Sequence, residues 1–439
     1  MSAQNPSGTT TSDQISAPQR KRSGQVGTGV AIAIAVVLLL VGIAGGYFIG
    51  NSMKSSSSTT KTTTPVEITE LGSSLLFPLM QKWGPNYTAA NPNVILSPAP
   101  GGSGAGQSNA ELGLVNIGAS DGYLVNASQT SLINVPVAIS AQLVYYNLAT
   151  IPASEHLNLN GTMLAEIYSG VITKWNDSVI MGAQNSTVQK QLNALANTTQ
   201  GEQIYLVKRS DSSGDTFLFT SLCQESWSGW TYGASTSALS GLTGTYVIPE
   251  QGNTGMVSGA QKQADSIAYI GISYEASAAA AGLGYAALGD NSSLSAAGGL
   301  VASNYVLPTA STISQDANLG LTHLNFAQYQ TAVSLILGGS PLGAVNLTHG
   351  AGGTAPTATS PDPYPIVNLE YTLIKTSPTG NVVSATALQA TVEFLIWAVS
   401  NGNFAPTGGP SAEIQAVNFV PLTPAVIGYD MQELSTVTW

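Results

Sequence analysis

From Pro65 onward the chain alternates short β-rich runs with helical patterns. Val66 to Thr69 reads as a strand, Leu75 to Tyr87 as a helix, Val94 to Ser97 as a strand, Gly104 to Leu112 as a helix and Val115 to Ala119 as a strand. The order βαβαβ predicts an α/β fold with a mostly parallel sheet covered by helices on both faces. Ligands of such sheets sit beyond the carboxyl ends of the strands, where loops lead into helix N-termini. Three polar loops lie at such junctions.

The first, Gly72-Ser73-Ser74, suits either a plain N-cap or an anion held at the positive end of a helix dipole. The second, Gly101-Gly102-Ser103-Gly104-Ala105-Gly106, lets the backbone approach a ligand closely. It lacks the Lys of a nucleotide P-loop and the downstream acid of a dinucleotide fingerprint, so a flexible turn and an anion cradle both remain open. The third lies in Ile204 to Phe217, IYLVKRSDSSGDTF, which reads as a strand, a charged turn and a helix start. Arg209, the only arginine after Arg22, stands there beside Asp211, Asp215 and the Ser212-Ser213-Gly214 helix start. A guanidinium fork matches two oxygens of a tetrahedral oxyanion, with Asp211 holding the fork; an ion pair that pins the turn is the competing reading. Asp121, in IGASDG, is either a turn or cap residue or a carboxylate that accepts a hydrogen bond from a protonated anion. Monohydrogen and dihydrogen phosphate can donate that bond and sulfate cannot.

Composition narrows the function classes. Charged residues make up 8% of the 439 residues, against about 25% in ordinary soluble proteins, so the surface is built from Ser, Thr, Asn, Gln and Gly. The formal net charge of -11 excludes nucleic acid as a partner, because no clustered Lys and Arg are available to neutralise phosphodiesters. The single cysteine, Cys223, permits no internal disulfide and reads as a buried small hydrophobe. His156, His323 and His349 are far apart without metal-site spacing, and no metal or other cofactor is expected.

No charged residue occurs between Ser23 and Met53, and Val30 to Ile49 holds an apolar run long enough to cross a bilayer. Arg20, Lys21 and Arg22 just before it place the N-terminus inside. Residues 1–26 are thus expected in the cytoplasm, 27–50 as a transmembrane helix or signal anchor, and 51–65 as a Ser/Thr-rich stalk containing SSSSTTKTTT. Processing near Ser23 and Gly24, as in pilin-like signal peptides, is the alternative fate of the run. Eight Asn-x-Ser/Thr sequons, at Asn86, Asn126, Asn160, Asn176, Asn185, Asn197, Asn291 and Asn346, all follow it, which suits a glycosylated exterior domain.

Taken in order, GSSLLFPLMQKW, PGGSGAG, IGASD, LAEIYSGVITKWND, VKRSDSSGDTF, GNTG and YPIVNLEYTLI resemble the phosphate-specific ABC-transporter substrate-binding proteins, including membrane-tethered archaeal forms. The resemblance runs from about Val66 to the C-terminus. It implies a two-lobed, type II Venus-flytrap fold with two crossover strands, near Ala141 to Tyr146 and Ile366 to Tyr371. Lobe 1 would comprise residues 66–143 and 369–439, and lobe 2 residues 144–368. The implied role is capture of inorganic phosphate and delivery to the permease and ATPase subunits of an importer, with no catalysis. The implied ligands are Ser74, the Leu75 amide, Ser103, Asp121, Arg209 with its partner Asp211, Ser213 and Gly214.

One position departs from the pattern, for many members carry Thr where this chain has Asp215. Ser212-x-x-Asp215 before an apolar run reads as a capping box. Alternatively, Asp215 accepts a second proton from dihydrogen phosphate in an acidic exterior, a setting in which few carboxylates limit the stability lost on protonation. Three other classes remain in view. Capture of sulfate or molybdate is opposed by Asp121 in the case of sulfate. A surface or filament component predicts no ligand dependence of stability. An enzyme needs a base or a metal centre, and neither Ser103 nor Ser213 has a histidine near it in sequence.

Overall fold

A computed structural model describes residues 64–124, 131–152, 154–198, 201–289, 305–314 and 364–439. The expected cytoplasmic segment, transmembrane helix and stalk as far as residue 63 lie outside the described residues, as do the sequons at Asn126, Asn291 and Asn346, and His323 and His349. Among the described residues no helix is long and apolar enough to cross a membrane.

The predicted βαβαβ unit is present as β1 (Val66–Gly72), α1 (Phe77–Ala90), β2 (Val94–Pro100), α2 (Ser103–Glu111) and β3 (Ile117–Ser120). β1 pairs in parallel with β2 on one side and β3 on the other. Pro78 is tolerated in the first turn of α1, where backbone N–H groups have no intrahelical partner. That helix buries Leu79, Met80, Trp83 and Tyr87. Trp83 and Tyr87 meet Phe394 edge-on, with ring centroids 6.4 and 5.2 Å apart.

β4 (Leu132–Tyr146) is buried along all its 15 residues, as expected of a central strand covered on both faces. Then come β5 (Asn158–Asn160), α3 (Gly161–Tyr168), α4 (Ser178–Gly182), α5 (Ser186–Ala194), β6 (Tyr205–Arg209), α6 (Gly214–Ser226), β7 (Val247–Glu250) and α7 (Gly252–Lys262). After β8 (Ser266–Gly271) and α8 (Glu275–Ala280) lie the short strands β9 (Gly284–Tyr285), β10 (Ala287–Gly289) and β11 (Tyr305–Val306). The chain ends with β12 (Val367–Lys375), α9 (Ala385–Trp397), α10 (Ala412–Gln415) and α11 (Pro424–Leu434).

The main sheet has the order β2-β1-β3-β12-β4-β8-β6-β7, with β9 also beside β4. β12 runs antiparallel to β3 and β4. The first part of β4, Leu132 to Ala141, pairs with β12, and Gln142 to Tyr146 pair with β8. β4 therefore carries the chain from the parallel set β2-β1-β3 to the parallel set β8-β6-β7, and β12 returns it. The expected crossover positions fall in β4 and over the start of β12. A proline in a central strand breaks the usual rule, and a bulge accommodates it: Glu370 pairs with Ala138 and Tyr371 with Pro136, leaving Val137 extra. The Val137 carbonyl accepts a hydrogen bond from Asn403 Nδ2 at 2.7 Å. Cys223 is buried within the core, as its lone occurrence predicts.

Candidate anion-binding site

The loops that follow β1, β2, β3, β6 and β7 converge, and each brings the start of a helix or a strand-end carboxylate with it. Ser73 Oγ accepts the N–H groups of Leu75 at 3.1 Å and Leu76 at 3.0 Å, and its hydroxyl donates to Asp121 Oδ1. Ser103, the first residue of α2, donates to Asp121 Oδ2 at 3.1 Å and accepts the Asp121 N–H at 3.1 Å. Asp121 is thereby fixed by serines from two helix starts. The turn into α2 needs Gly102, whose φ is 84° and where a Cβ would stand 2.6 Å from Asp211 Oδ2.

Arg209 ends β6 with a buried guanidinium. Nε donates to Asp211 Oδ1 at 2.7 Å, Nη2 donates to Asp211 Oδ2, and Nη1 donates to Asp215 Oδ2 at 2.6 Å. The guanidinium has five N–H donors, so one hydrogen on each Nη is not used by these bonds. The ion-pair reading of Arg209 matches the structure, and the pair with Asp211 orients the fork. The capping-box reading of Asp215 is corrected. Ser213, not Ser212, caps α6 by accepting the Thr216 N–H at 3.4 Å. Ser212 Oγ donates instead to Thr236 Oγ1 at 2.8 Å. The Asp215 carboxylate turns away from the helix backbone because a charged partner, Arg209, competes successfully with a neutral N–H.

The structure adds residues that the sequence did not single out. Asn253, in the GNTG run at the start of α7, donates from its backbone N–H and from Nδ2 to Ser74 Oγ at 3.2 and 3.1 Å. Its Nδ2 also donates to Asp215 Oδ2 at 2.8 Å, and its Oδ1 accepts the Gly271 N–H at 2.9 Å. Gln142 Nε2, on β4, donates to the Asp215 backbone oxygen at 2.8 Å and to Oδ1 at 3.2 Å. Among the expected ligands, Ser74, Ser103, Asp121, Arg209, Asp211, Ser213, Gly214 and Asp215 all lie in this cluster. The Leu75 amide is engaged by Ser73 Oγ, and its side chain is wholly buried.

Charge is out of balance here. Asp121 and Asp215 are buried, and the Arg209 charge is already shared with Asp211. Burial lifts Asp215 to about 7, with the nearby Asp121 charge adding to the rise and Arg209 opposing it. Burial likewise raises Asp121 against the hydrogen bond from Ser73. For Asp211 burial is outweighed by the bidentate bond and charge of Arg209, which hold it below the usual carboxylate range. A site with more buried carboxylates than cations admits an anion only with protons, on the carboxylates or on the anion itself.

Gly214 marks the tightest approach. A Cβ there would stand 2.3 Å from Asp121 Oδ2 and 2.6 Å from Ser103 Oγ, so only glycine lets the start of α6 meet the loops after β2 and β3. Overpacking of this kind costs about 1–3 kcal/mol. Gly214→Ala is accordingly expected to weaken anion binding roughly ten- to hundredfold, read by isothermal titration; unchanged affinity would mean that the loops do not pack this way when a ligand is held.

The PBP superfamily domain model matches residues 55–401. The phosphate-binding protein PstS of Methanocaldococcus jannaschii is 27% identical over 391 residues, covering 84% of this chain and 87% of that protein. The phosphate-binding protein PstS of Xylella fastidiosa strain 9a5c is 32% identical over 231 residues, 51% of this chain, and the match spans only 58% of its length. Two solved structures share the fold. One is a high affinity periplasmic phosphate-binding protein bound with phosphate at pH 8.5, with a TM-score of 0.56, 20% identity, and coverage of 83% of this chain and 92% of that one. The other is a human phosphate binding apolipoprotein, with a TM-score of 0.55, 20% identity, and coverage of 82% and 93%. With the sheet order, the two connecting strands and the helix-start loops in place, the chain has an α/β periplasmic-binding-protein-like fold and belongs to the PBP superfamily.

Proposed function

We propose that this chain captures inorganic phosphate outside the cytoplasm and hands it to the permease and ATPase subunits of an ABC importer. The observation that carries the reading is Asp121, a buried carboxylate held between Ser73, Ser103 and Gly214 where the helix starts meet. A carboxylate in that place repels a fully ionised oxyanion and accepts a hydrogen bond from one that keeps a proton. The relatives named as phosphate-binding proteins support the same choice of ligand.

In this reading residues 66–143 with 369–439, and 144–368, act as two lobes that close on the anion. The Ser74 to Asn253 bonds and the bond from Gly104 N–H to the Ser212 oxygen, at 3.1 Å, latch the closed form. Arg209 grips two phosphate oxygens, Asp211 aims it, and the hydroxyls of Ser74 and Ser213 with the Gly214 amide supply further donors, while the Leu75 amide and the Ser103 hydroxyl, bonded to Ser73 and Asp121, hold the helix starts around the anion. Asp215, lifted to about 7 by burial and the nearby Asp121 charge, holds its own proton when the exterior is acidic and so repels the anion less there. The apolar run at 27–50 tethers the binding domain outside the membrane through the stalk.

Asp121→Asn tests the central point. The amide can donate as well as accept, so phosphate affinity is expected to fall at least about tenfold while sulfate, silent in the wild type, begins to bind. Equal affinity of the wild type for phosphate and sulfate in a calorimetric titration would refute the reading.

A further inference from the structure

A third carboxyl group lies behind Asp121, on the returning strand. Glu370 of β12 has no exposed surface. It sits beside the bulge that separates its pairing with Ala138 from that of Tyr371 with Pro136, a device that re-aims side chains next to sites. Its Oε1 accepts the Ser140 hydroxyl at 2.5 Å and Asn368 Nδ2 at 3.4 Å. That Asn368 amide also donates to the Asp121 backbone oxygen at 2.6 Å, tying the two acids into one network. Among the described residues Oε2 finds no donor, and the Glu370 and Asp121 carboxyl groups stand within hydrogen-bonding reach of each other. Two buried acid oxygens that approach each other need a proton between them.

We infer that Glu370 is a positioning residue that donates its carboxyl hydrogen to Asp121, keeps Asp121 an acceptor for the ligand's hydrogen, and thereby sets discrimination against fully ionised oxyanions. The inference rests on the phosphate reading above and deepens it. Without that donor the buried Asp121 would take up a proton of its own and turn from acceptor into donor. The site would then welcome sulfate. Several charged and titratable groups face the pair. Burial raises Glu370 well above the carboxylate range, and the charges of Asp121 on the loop after β3 and Asp215 on α6 push it further. Arg209 on β6 acts in the opposite sense on Asp121. Tyr371, the next residue on β12, is buried with a hydroxyl that stays neutral. Glu370 is the member of the set best placed to hold the proton.

The test titrates the full-length protein, held in detergent, with inorganic phosphate and with sulfate, comparing wild type with Glu370→Gln and Glu370→Leu over a range of pH. The Gln amide keeps a donor towards Asp121 and an acceptor for Ser140, so phosphate affinity within about threefold of wild type and continued silence towards sulfate are expected. Leu removes the donor, so phosphate affinity should drop roughly ten- to hundredfold and sulfate binding should appear. Comparing wild type with Glu370→Gln at each pH cancels the ionisation of phosphate itself. On the alkaline side the wild type should lose affinity relative to Gln, which has no proton to lose. That comparison decides the matter even if the Leu variant does not fold. Superimposable profiles of wild type and Gln, equal impairment of Gln and Leu, or wild-type affinity and selectivity in Leu would each overturn the inference. A wild type that ignores phosphate would instead overturn the phosphate reading on which it stands.

Discussion

Arg209→Ala should abolish measurable phosphate binding and lower the thermal stability of the protein at the same time. Among the described residues the two remaining guanidinium hydrogens are the only charged donors that this cluster offers an anion, and charge-assisted bonds contribute about 1.5–3 kcal/mol each. Losing both corresponds to roughly 10²–10⁴ in affinity. Stability falls because Asp211 and Asp215 lose the partner bonded to them at 2.7 and 2.6 Å; removing one side of a buried pair costs about 3–5 kcal/mol. Part of that loss is recovered below neutrality, where Asp215, already lifted to about 7, simply takes up a proton. Arg209→Lys separates the effects. It keeps the charge but not the planar fork, so it should retain most of the stability and little of the affinity. Calorimetric titration and thermal unfolding of the same samples check both halves, and an Arg209→Ala protein that binds phosphate within about threefold of wild type would contradict the assignment.

Glu70→Gln should stabilise the ligand-free protein at neutral pH and do nothing at pH 4. Glu70 lies inside β1, paired with Pro98 of β2 and Ile117 of β3, and is almost wholly buried. Burial raises it from 4.5 to about 8, and the nearby Ala99 backbone N–H offsets only a little of that. The folded state therefore binds more protons than the unfolded chain between those values. Stability from this group is fully present below about 4.5 and declines as pH rises through about 8. At pH 7 the cost is on the order of 3 kcal/mol, which a neutral isostere removes. Asp215 acts in the same direction. Melting curves of wild type and Glu70→Gln from pH 4 to pH 8 should coincide at the acid end and diverge steadily above it; parallel curves would mean that Glu70 ionises freely in the folded protein.

Part of the fold and of the site was written locally in the sequence, and part was not. The βαβαβ alternation was legible because each element carries its own periodicity, and the helix starts at Ser73, Ser103 and Ser213 because Gly and Ser punctuate strand ends. The partnership of Arg209 with Asp211 was legible for the same reason, two residues apart on one turn. Asn253 was not, since it meets Ser74 across 179 residues of chain, and no spacing rule reaches that far. Glu370 lies within the run YPIVNLEYTLI, and nothing local announced Asp121 as its neighbour. Asp215 failed in an instructive way. The Ser212-x-x-Asp215 pattern satisfies the capping-box rule, yet the carboxylate follows the stronger charge-assisted bond to Arg209. Pro136 gives no local sign of a central strand, where the bulge opposite Glu370 and Tyr371, together with Asn403, makes a proline tolerable.

The central claim, that the convergent loops hold phosphate through a buried carboxylate and one guanidinium, is tested most directly by titrating the full-length protein, held in detergent and freed of bound anion, with phosphate and sulfate in a calorimeter. The account predicts tight one-to-one binding of phosphate, no heat from sulfate, and loss of the phosphate signal in Arg209→Ala. Binding of neither anion, or of both with similar affinity, would contradict it.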